Sequence, residues 1–190
     1  MTDRDDDPTI GAMQSRPVTE ASLPLQTARL VLRELDIDDA AFMLELLNDA
    51  DFLGNIGDRG VRTLEDARRY IVNGSMASYA QHGFGFWAVL PVGTDTCIGI
   101  CGLARRESLD DADIGYAFLP AWRGQGYAFE ACSAVMRLAR EHFGLERIVA
   151  ITALENPASA RLLEKIGLRF ERLIHPHDEA QALRLFGWNA

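Results

Sequence analysis

Residues 123 to 128 read Arg123-Gly124-Gln125-Gly126-Tyr127-Ala128, between a strand-like run and the opening of a helix-like one. The first backbone N–H groups of a helix have no carbonyl to donate to within it, so in this position they can meet a bound anion. Gly124 and Gly126 lack Cβ atoms and let the backbone curl around a pyrophosphate, while the helix dipole adds favourable potential and Arg123 a charge. The chemistry this favours is the holding of phosphate. A nucleotide-hydrolysing loop would need Gly-Lys followed by Ser or Thr, and Tyr127 and Ala128 stand after Gly126 instead. A dinucleotide fingerprint would need a third glycine where Phe129 stands, and a strand that opens the domain rather than arriving after residue 110.

The elements that must position this loop follow from periodicity. A strand is expected over 29–35, then a helix over 40–47 with Asp36 and Asp38 offering capping oxygens. Gly54, Gly57 and Gly60 make the next segment loop-like. Thr63 with Asp66 forms a capping-box start to a second helix reaching about residue 79, expected to overlie the substrate side. Runs 84–90 and 96–103 read as an antiparallel hairpin around Pro91, Gly93 and Asp95. A polar stretch, 105–111, leads to a strand over 113–119 that closes at Pro120. A helix over 127–143 ends at Gly144 and a buried-type strand follows over 147–153, which together make a right-handed βαβ crossover with parallel strands. Pro157 suits the first turn of a helix over 157–166 that stops at Gly167; strands 169–174 and 180–186 complete a mixed sheet.

With 190 residues, 48% of them hydrophobic, the chain can bury one sizeable core. A single domain is expected over 24–190. Residues 1–23, with Asp3, Asp5, Asp6 and Asp7, read as a mobile acidic tail without the apolar run of a signal peptide. The net charge of −9 argues against nucleic acid, which demands a basic face, and favours cationic partners such as amines. No run approaches the length needed to span a bilayer, so no membrane partner is expected. Three cysteines fit a reducing compartment, and cytoplasmic placement is the expectation. Cys97 and Cys101, roughly 13 Å apart on one strand, read as small core residues. His175, His177 and Asp178 straddle Pro176 without further ligands at recognisable spacing, so no metal is expected.

Taken in order, Asp113-Ile114-Gly115-Tyr116, Pro120, Trp122 to Ala128, Glu130-Ala131, Glu155-Asn156-Pro157-Ala158-Ser159 and Glu164-Lys165-Ile166-Gly167 resemble the GNAT superfamily of N-acetyltransferases. Arg123, Gly126 and Ala128 match its R/Q-x-x-G-x-G/A signature. Thr27-Ala28-Arg29-Leu30 with Leu32-Arg33 resembles the branch of ribosomal-protein N-terminal acetyltransferases of the RimJ and RimL type, and the likeness runs from about residue 25 to 186.

The resemblance implies an α/β (α+β) fold: a mixed, mostly antiparallel sheet flanked by helices and splayed at a parallel pair near Tyr116 and Ile151. The donor substrate would be acetyl-CoA, its pyrophosphate on Arg123, Gly124, Gln125, Gly126, Tyr127 and Ala128. Its pantetheine would pair with the backbone of Phe118 and Leu119, as an added strand would, and with Asn156, whose alternative role is to cap the following helix. The acceptor would be a primary amine, either a peptide N-terminus or a small molecule, attacking directly in a ternary complex. A catalytically silent acyl-CoA-binding module is the alternative. Members of the superfamily often pair, and no feature of the sequence decides for or against a homodimer.

Acetyl transfer needs a neutral amine, a polarised carbonyl and a proton for the thiolate. Asp113 and Glu107 are candidate bases; the alternative for each is a solvated edge charge. Many GNAT enzymes carry a tyrosine acid on the helix after the asparagine, where this chain has Leu162-Leu163-Glu164. Ser159 matches an N-x-x-S variant and is the candidate donor to the sulfur, or else an ordinary first-turn serine bonded to backbone. Tyr116 lines the acceptor pocket or packs in the core. Phe86 and Trp87 bound that cavity or serve as core, and Glu130 reads as structural.

Overall fold

In the computed structural model, which describes residues 24–175 and 181–190, the chain opens with two short strands, β1 (Leu25–Gln26) and β2 (Leu30–Glu34). The expected tail at 1–23, and His177 and Asp178, lie outside the described residues. Leu30 and Leu32 alternate with polar-facing positions in β2 and are fully buried. Asp36 and Asp39 then exchange hydrogen bonds in a capping box, and α1 (Ala40–Leu47) follows.

The glycine-containing segment after it is not all loop. Asp49 accepts from the backbone N–H groups of Asp51 and Phe52 and starts α2 (Ala50–Asn55), which buries Phe52. A good cap and one buried aromatic outweigh the propensity cost of Gly54. The Thr63–Asp66 capping box starts α3 (Leu64–Ile71), which runs through a π-helical segment (Val72–Met76) into α4 (Ala77–His82) and ends at left-handed Gly83.

Next come β3 (Phe86–Pro91), β4 (Gly99–Ala104), β5 (Ala112–Phe118), α5 (Tyr127–Glu141), β6 (Arg147–Ala153), α6 (Pro157–Lys165), β7 (Arg169–Ile174) and β8 (Leu183–Asn189). β4 starts later than the expected 96: Cys97 leaves the ladder and is only partly buried, its thiol donating to Asp39 Oδ1 at 3.4 Å, whereas Cys101 is fully buried. β8 lies further along the chain than expected because it pairs with the whole of β6, from Ala153↔Leu183 to Arg147↔Asn189.

The eight strands form one sheet in the order β1-β2-β3-β4-β5-β6-β8-β7. Every neighbouring pair is antiparallel except β5 and β6. That parallel pair holds only over Ala112↔Ile148 and Asp113↔Val149. β5 continues beside β4 to Phe118 and β6 continues beside β8 to Ala153, so beyond Asp113 and Val149 the two strands are unpaired with each other. The sheet is therefore splayed, with its open end at the C-terminal ends of both strands.

Helices cover both faces. One core joins α5 and Leu163 of α6 to Trp87, Cys101, Ile114, Ile148 and Phe186; the other joins α1 and α3 to Leu35, Ala88, Leu90 and Ile100. No helix among the described residues is long and apolar enough to cross a membrane.

Candidate functional site

α5 begins beside the open end of the splay. Gly124 and Gly126 both adopt left-handed backbone, at φ 73° and 83°, a region where a side chain is strained. No side chain caps α5, so the N–H groups of its first turn face outward without an internal acceptor. A Cβ built on Gly124 would meet nothing within 4 Å, which leaves room above the loop for an anion. Gln125 steadies the loop through Nε2, which donates to the Ala121 carbonyl at 2.9 Å. Tyr127 packs on Trp122, ring centroids 6.0 Å apart, and Ala128 is half-buried behind it.

The cation at this cradle differs from the one expected. Arg123 turns away from it: its guanidinium pairs with Asp49 and Asp51, and its Nε donates to the Phe118 carbonyl at 2.8 Å. The two carboxylates at the start of α2 are strong partners that the sequence, read locally, does not bring near residue 123. Arg29 stands in its place. Its Nη1 donates to the Gln125 carbonyl at 3.1 Å, its Cζ lies 4.6 Å over the Tyr127 ring, and its Nη2 is 3.4 Å from where a Cβ of Gly126 would sit. Glu130 holds Arg29 there, accepting from its Nε at 2.6 Å and its backbone N–H at 2.9 Å, and from the Thr27 hydroxyl at 2.6 Å. Burial alone would raise the Glu130 pKa, but these donors bring it below the usual carboxylate value.

Along the splay, part of the backbone expected to face a ligand already has partners. The Leu119 N–H donates to the Ile98 carbonyl at 2.9 Å, and the Phe118 carbonyl accepts from Arg123. Because backbone groups alternate edges along a strand, the N–H of Phe118 and the groups of Tyr116 point to the unpaired side. Across the gap, Asn156 Oδ1 caps α6 by accepting from the Ser159 N–H at 3.0 Å. The cap uses only the oxygen, and the Asn156 amide nitrogen keeps its donors for another partner.

Tyr116 and Ser159 meet from opposite sides of the gap. Burial pushes the Tyr116 phenol up to about 12, opposed by a hydrogen-bonding influence from the Ser159 hydroxyl, and the thiols of Cys132 and Cys101 are its other electrostatic neighbours. Tyr116 thus faces the α5 side of the sheet, where the sulfurs of Cys101 and Cys132 lie 3.6 Å apart. Trp87 belongs to that core as well and is fully buried, whereas Phe86 is on the other face, its ring 3.0 Å from a Cβ built on Gly115.

Asp113 is not a solvated edge charge. It is 1% exposed, and Arg106 Nε donates to its Oδ2 at 2.6 Å, while Oδ1 is buried with no hydrogen-bond partner among the described residues. Its neighbours Ala112 and Ile114 pack toward α5, so alternation turns Asp113 to the opposite face from Tyr116. Burial raises its pKa, against the pull of the Arg106 charge and of the nearby Ile151 backbone toward the ionised form. Glu107, in the loop before β5, is exposed.

Two residues were missed from sequence: Arg29 at the cradle and Arg106 on Asp113. Arg29 carried a signal, as part of Thr27-Ala28-Arg29-Leu30, but no spacing rule links it to a loop nearly a hundred residues later. Among the described residues no group of His, Cys, Asp or Glu is arranged to hold a metal ion.

A family model described as an acetyltransferase (GNAT) domain matches residues 29–169. The uncharacterised N-acetyltransferase YnaD of Bacillus subtilis (strain 168) is 31% identical over 147 residues, 77% of this chain and 83% of that one. A GNAT-family acetyltransferase from Bacillus anthracis, known from its crystal structure, is 26% identical with TM-score 0.72, over 87% of this chain and 97% of that one. RimL, a ribosomal-protein alpha-N-acetyltransferase solved in complex with coenzyme A, shares the fold at TM-score 0.73 and 17% identity, over 86% of this chain and 95% of that one. The family match takes in the splay, the glycine cradle and the Asn156–Ser159 turn, and the chain belongs to the GNAT acetyltransferase family.

Proposed function

We propose that this acetyltransferase moves the acetyl group of acetyl-CoA directly to a primary amine, a protein N-terminus or a small molecule, within a ternary complex. One observation carries the reading: Asp113 and the Tyr116–Ser159 pair lie on opposite faces of the same splay. The cradle of Gly124, Gln125, Gly126, Tyr127 and Ala128, with Arg29, fits a pyrophosphate. The free edge of β5 at Tyr116 and Phe118, and the donors of Asn156, fit an extended pantetheine arm.

The amine nitrogen attacks the thioester carbon from the Asp113 side, the C–S bond breaks, and the sulfur leaves on the side of Tyr116 and Ser159. The amine must lose a proton, and a carboxylate whose pKa is raised by burial is a better acceptor than an ordinary one. The Asp113 carboxylate, being buried, takes that proton through water, and Arg106 fixes its Oδ2. An α-amine near ~8 gives up its proton more readily than a lysine-type amine near ~10.4.

On the thiol side, a phenol pushed up to about 12 is a poor proton source for a thiolate whose conjugate acid is near ~8.5. Tyr116 and Ser159 therefore donate hydrogen bonds to the developing sulfur charge, and solvent protonates the released thiolate. Stabilising charge that appears only in the transition state acts on kcat.

The test is calorimetric titration with acetyl-CoA followed by free-thiol release against a panel of amines and N-terminal peptides. Binding with amine-dependent release is expected. Binding without release on a broad panel would favour an acyl-CoA-binding module, and an absence of binding would sink both.

A further inference from the structure

Four polar side chains are buried among the described residues: Asp39, Ser75, Asp113 and Thr152. Asp39 is held by Arg33 and Asp113 by Arg106, and Ser75 interacts with the Tyr79 phenol. Thr152 differs from them. It is 6% exposed, and its hydroxyl makes no hydrogen bond with any described residue. A buried hydroxyl without a partner works against folding, so its presence points to a ligand that completes it.

The strands place this hydroxyl at the splay. Ile148 and Ala150 of β6 pack in the α5 core, and alternation turns Thr152 to the same face. Ala112 and Ile114 of β5 pack there too, and Tyr116 follows them. Parallel pairing ends at Asp113↔Val149, and Tyr116 and Thr152 each lie three residues further along their strands. The two side chains are thus level with one another on the strands that border the gap. α6, which carries Ser159, packs on the same face through Leu163. Three elements, β5, β6 and α6, therefore each bring one hydroxyl to the α5 side of the gap, where the sulfur is expected to leave.

We propose that Thr152 is a further catalytic residue, its hydroxyl donating a hydrogen bond to the thioester sulfur as the C–S bond breaks. The assignment rests on the transferase reading above and adds a third donor to Tyr116 and Ser159. The amine nitrogen takes the acetyl carbon and the electron pair of the breaking bond goes to sulfur. The Thr152 proton stays on its oxygen, and solvent protonates the thiolate. Threonine suits the place: its branched Cβ favours a strand and stiffens χ1, so the donor is aimed before the charge develops.

The experiment compares Thr152→Val, which keeps the shape and removes the donor, with Thr152→Ser, which keeps the donor. Thr152→Val should lower kcat about tenfold, the size of one hydrogen bond to a charged acceptor, with the KM for acetyl-CoA little changed. Thr152→Ser should recover most of that loss. Because the hydroxyl has no described partner to lose, free Thr152→Val should melt at or above the wild-type temperature. An unchanged kcat in Thr152→Val, a loss that Thr152→Ser does not recover, or a lower melting temperature in Thr152→Val would make the threonine a packing residue and overturn the assignment, leaving the transferase reading intact. If the wild type turns over no amine, the transferase reading fails and binding decides. Calorimetry at about pH 9, above the ~8.5 of a free thiol, then compares CoA with desulfo-CoA. The preference for the ligand that carries sulfur should fall about tenfold in Thr152→Val. Tyr116, Ser159 and Arg184, which pairs with Thr152 from β8, are common to both proteins, so the difference isolates the hydroxyl. An equal preference in both would overturn the assignment.

Discussion

Tyr116 and Ser159 approach one another where β5 and β6 part, and the role proposed for each is not the one its own sequence neighbourhood suggests. Read locally, a strand tyrosine is core and a first-turn serine bonds backbone; the hydroxyl pair exists only in three dimensions. Ser159→Ala and Tyr116→Phe should each lower kcat by roughly tenfold to a hundredfold, with the KM for acetyl-CoA little changed and the double variant less than multiplicative. Steady-state kinetics checks this, and an unchanged kcat in Ser159→Ala would remove the serine from the reaction. The two arginines separate in the same way. Arg29→Gln should weaken acetyl-CoA binding about tenfold by titration, having lost one charge at a phosphate. Arg123→Gln should instead lower the melting temperature by loosening α2, because its charge faces Asp49 and Asp51. Sequence reasoning singled out this loop with Arg123 as its cation, whereas in the structure Arg123 pairs with Asp49 and Asp51 and Arg29 lies against the loop. The first is a local pattern; the second depends on which carboxylates the fold brings close.

At the scale of elements, Arg147–Ala153 is the strand that periodicity predicts, and the helix opening at Pro157 carries the expected proline in its first turn. α2 was hidden because glycine composition suggested loop, while the Asp49 cap and the burial of Phe52 decided the outcome. The cradle element allows a sharp test. Gly126→Val forces a β-branched side chain to φ 83° and pushes it against Arg29, so it should weaken acetyl-CoA binding by at least about tenfold in calorimetry. Normal binding would move the phosphate site elsewhere. The junction between β2 and α1 offers a test of stability. Asp39, 7% exposed, accepts two hydrogen bonds from Arg33 at 2.8 Å and one from the Asp36 N–H at 3.0 Å. Burial works to raise its pKa, but these donors set it below the usual value. A depressed folded pKa contributes stability that is present above the unfolded value near ~3.9 and is lost as pH falls through the folded one. Asp39→Asn should therefore cost about 2 kcal/mol at neutral pH, with Arg33 partly exposed. In denaturant melts the gap to the wild type should close below about pH 4.

For the whole molecule, the order of strands and helices in the crossover was legible because each element has its own period and its own punctuation. The splay was not readable from periodicity: nothing in the apolar pattern of β5 or β6 says that pairing stops after Asp113 and Val149, and only the likeness to a known family led to that expectation. Yet the splay is what sets a carboxylate on one face against two hydroxyls on the other, and the proposed chemistry depends on that separation. The direct transfer proposed across it requires that no acetyl group rest on the protein. The measurement that tests this most directly is initial-rate kinetics of thiol release, with acetyl-CoA and an accepted amine varied against each other. The account predicts intersecting double-reciprocal lines and no thiol released before amine is added. Parallel lines, with a burst of thiol equal to the protein in the absence of amine, would mean an acetylated intermediate and contradict it.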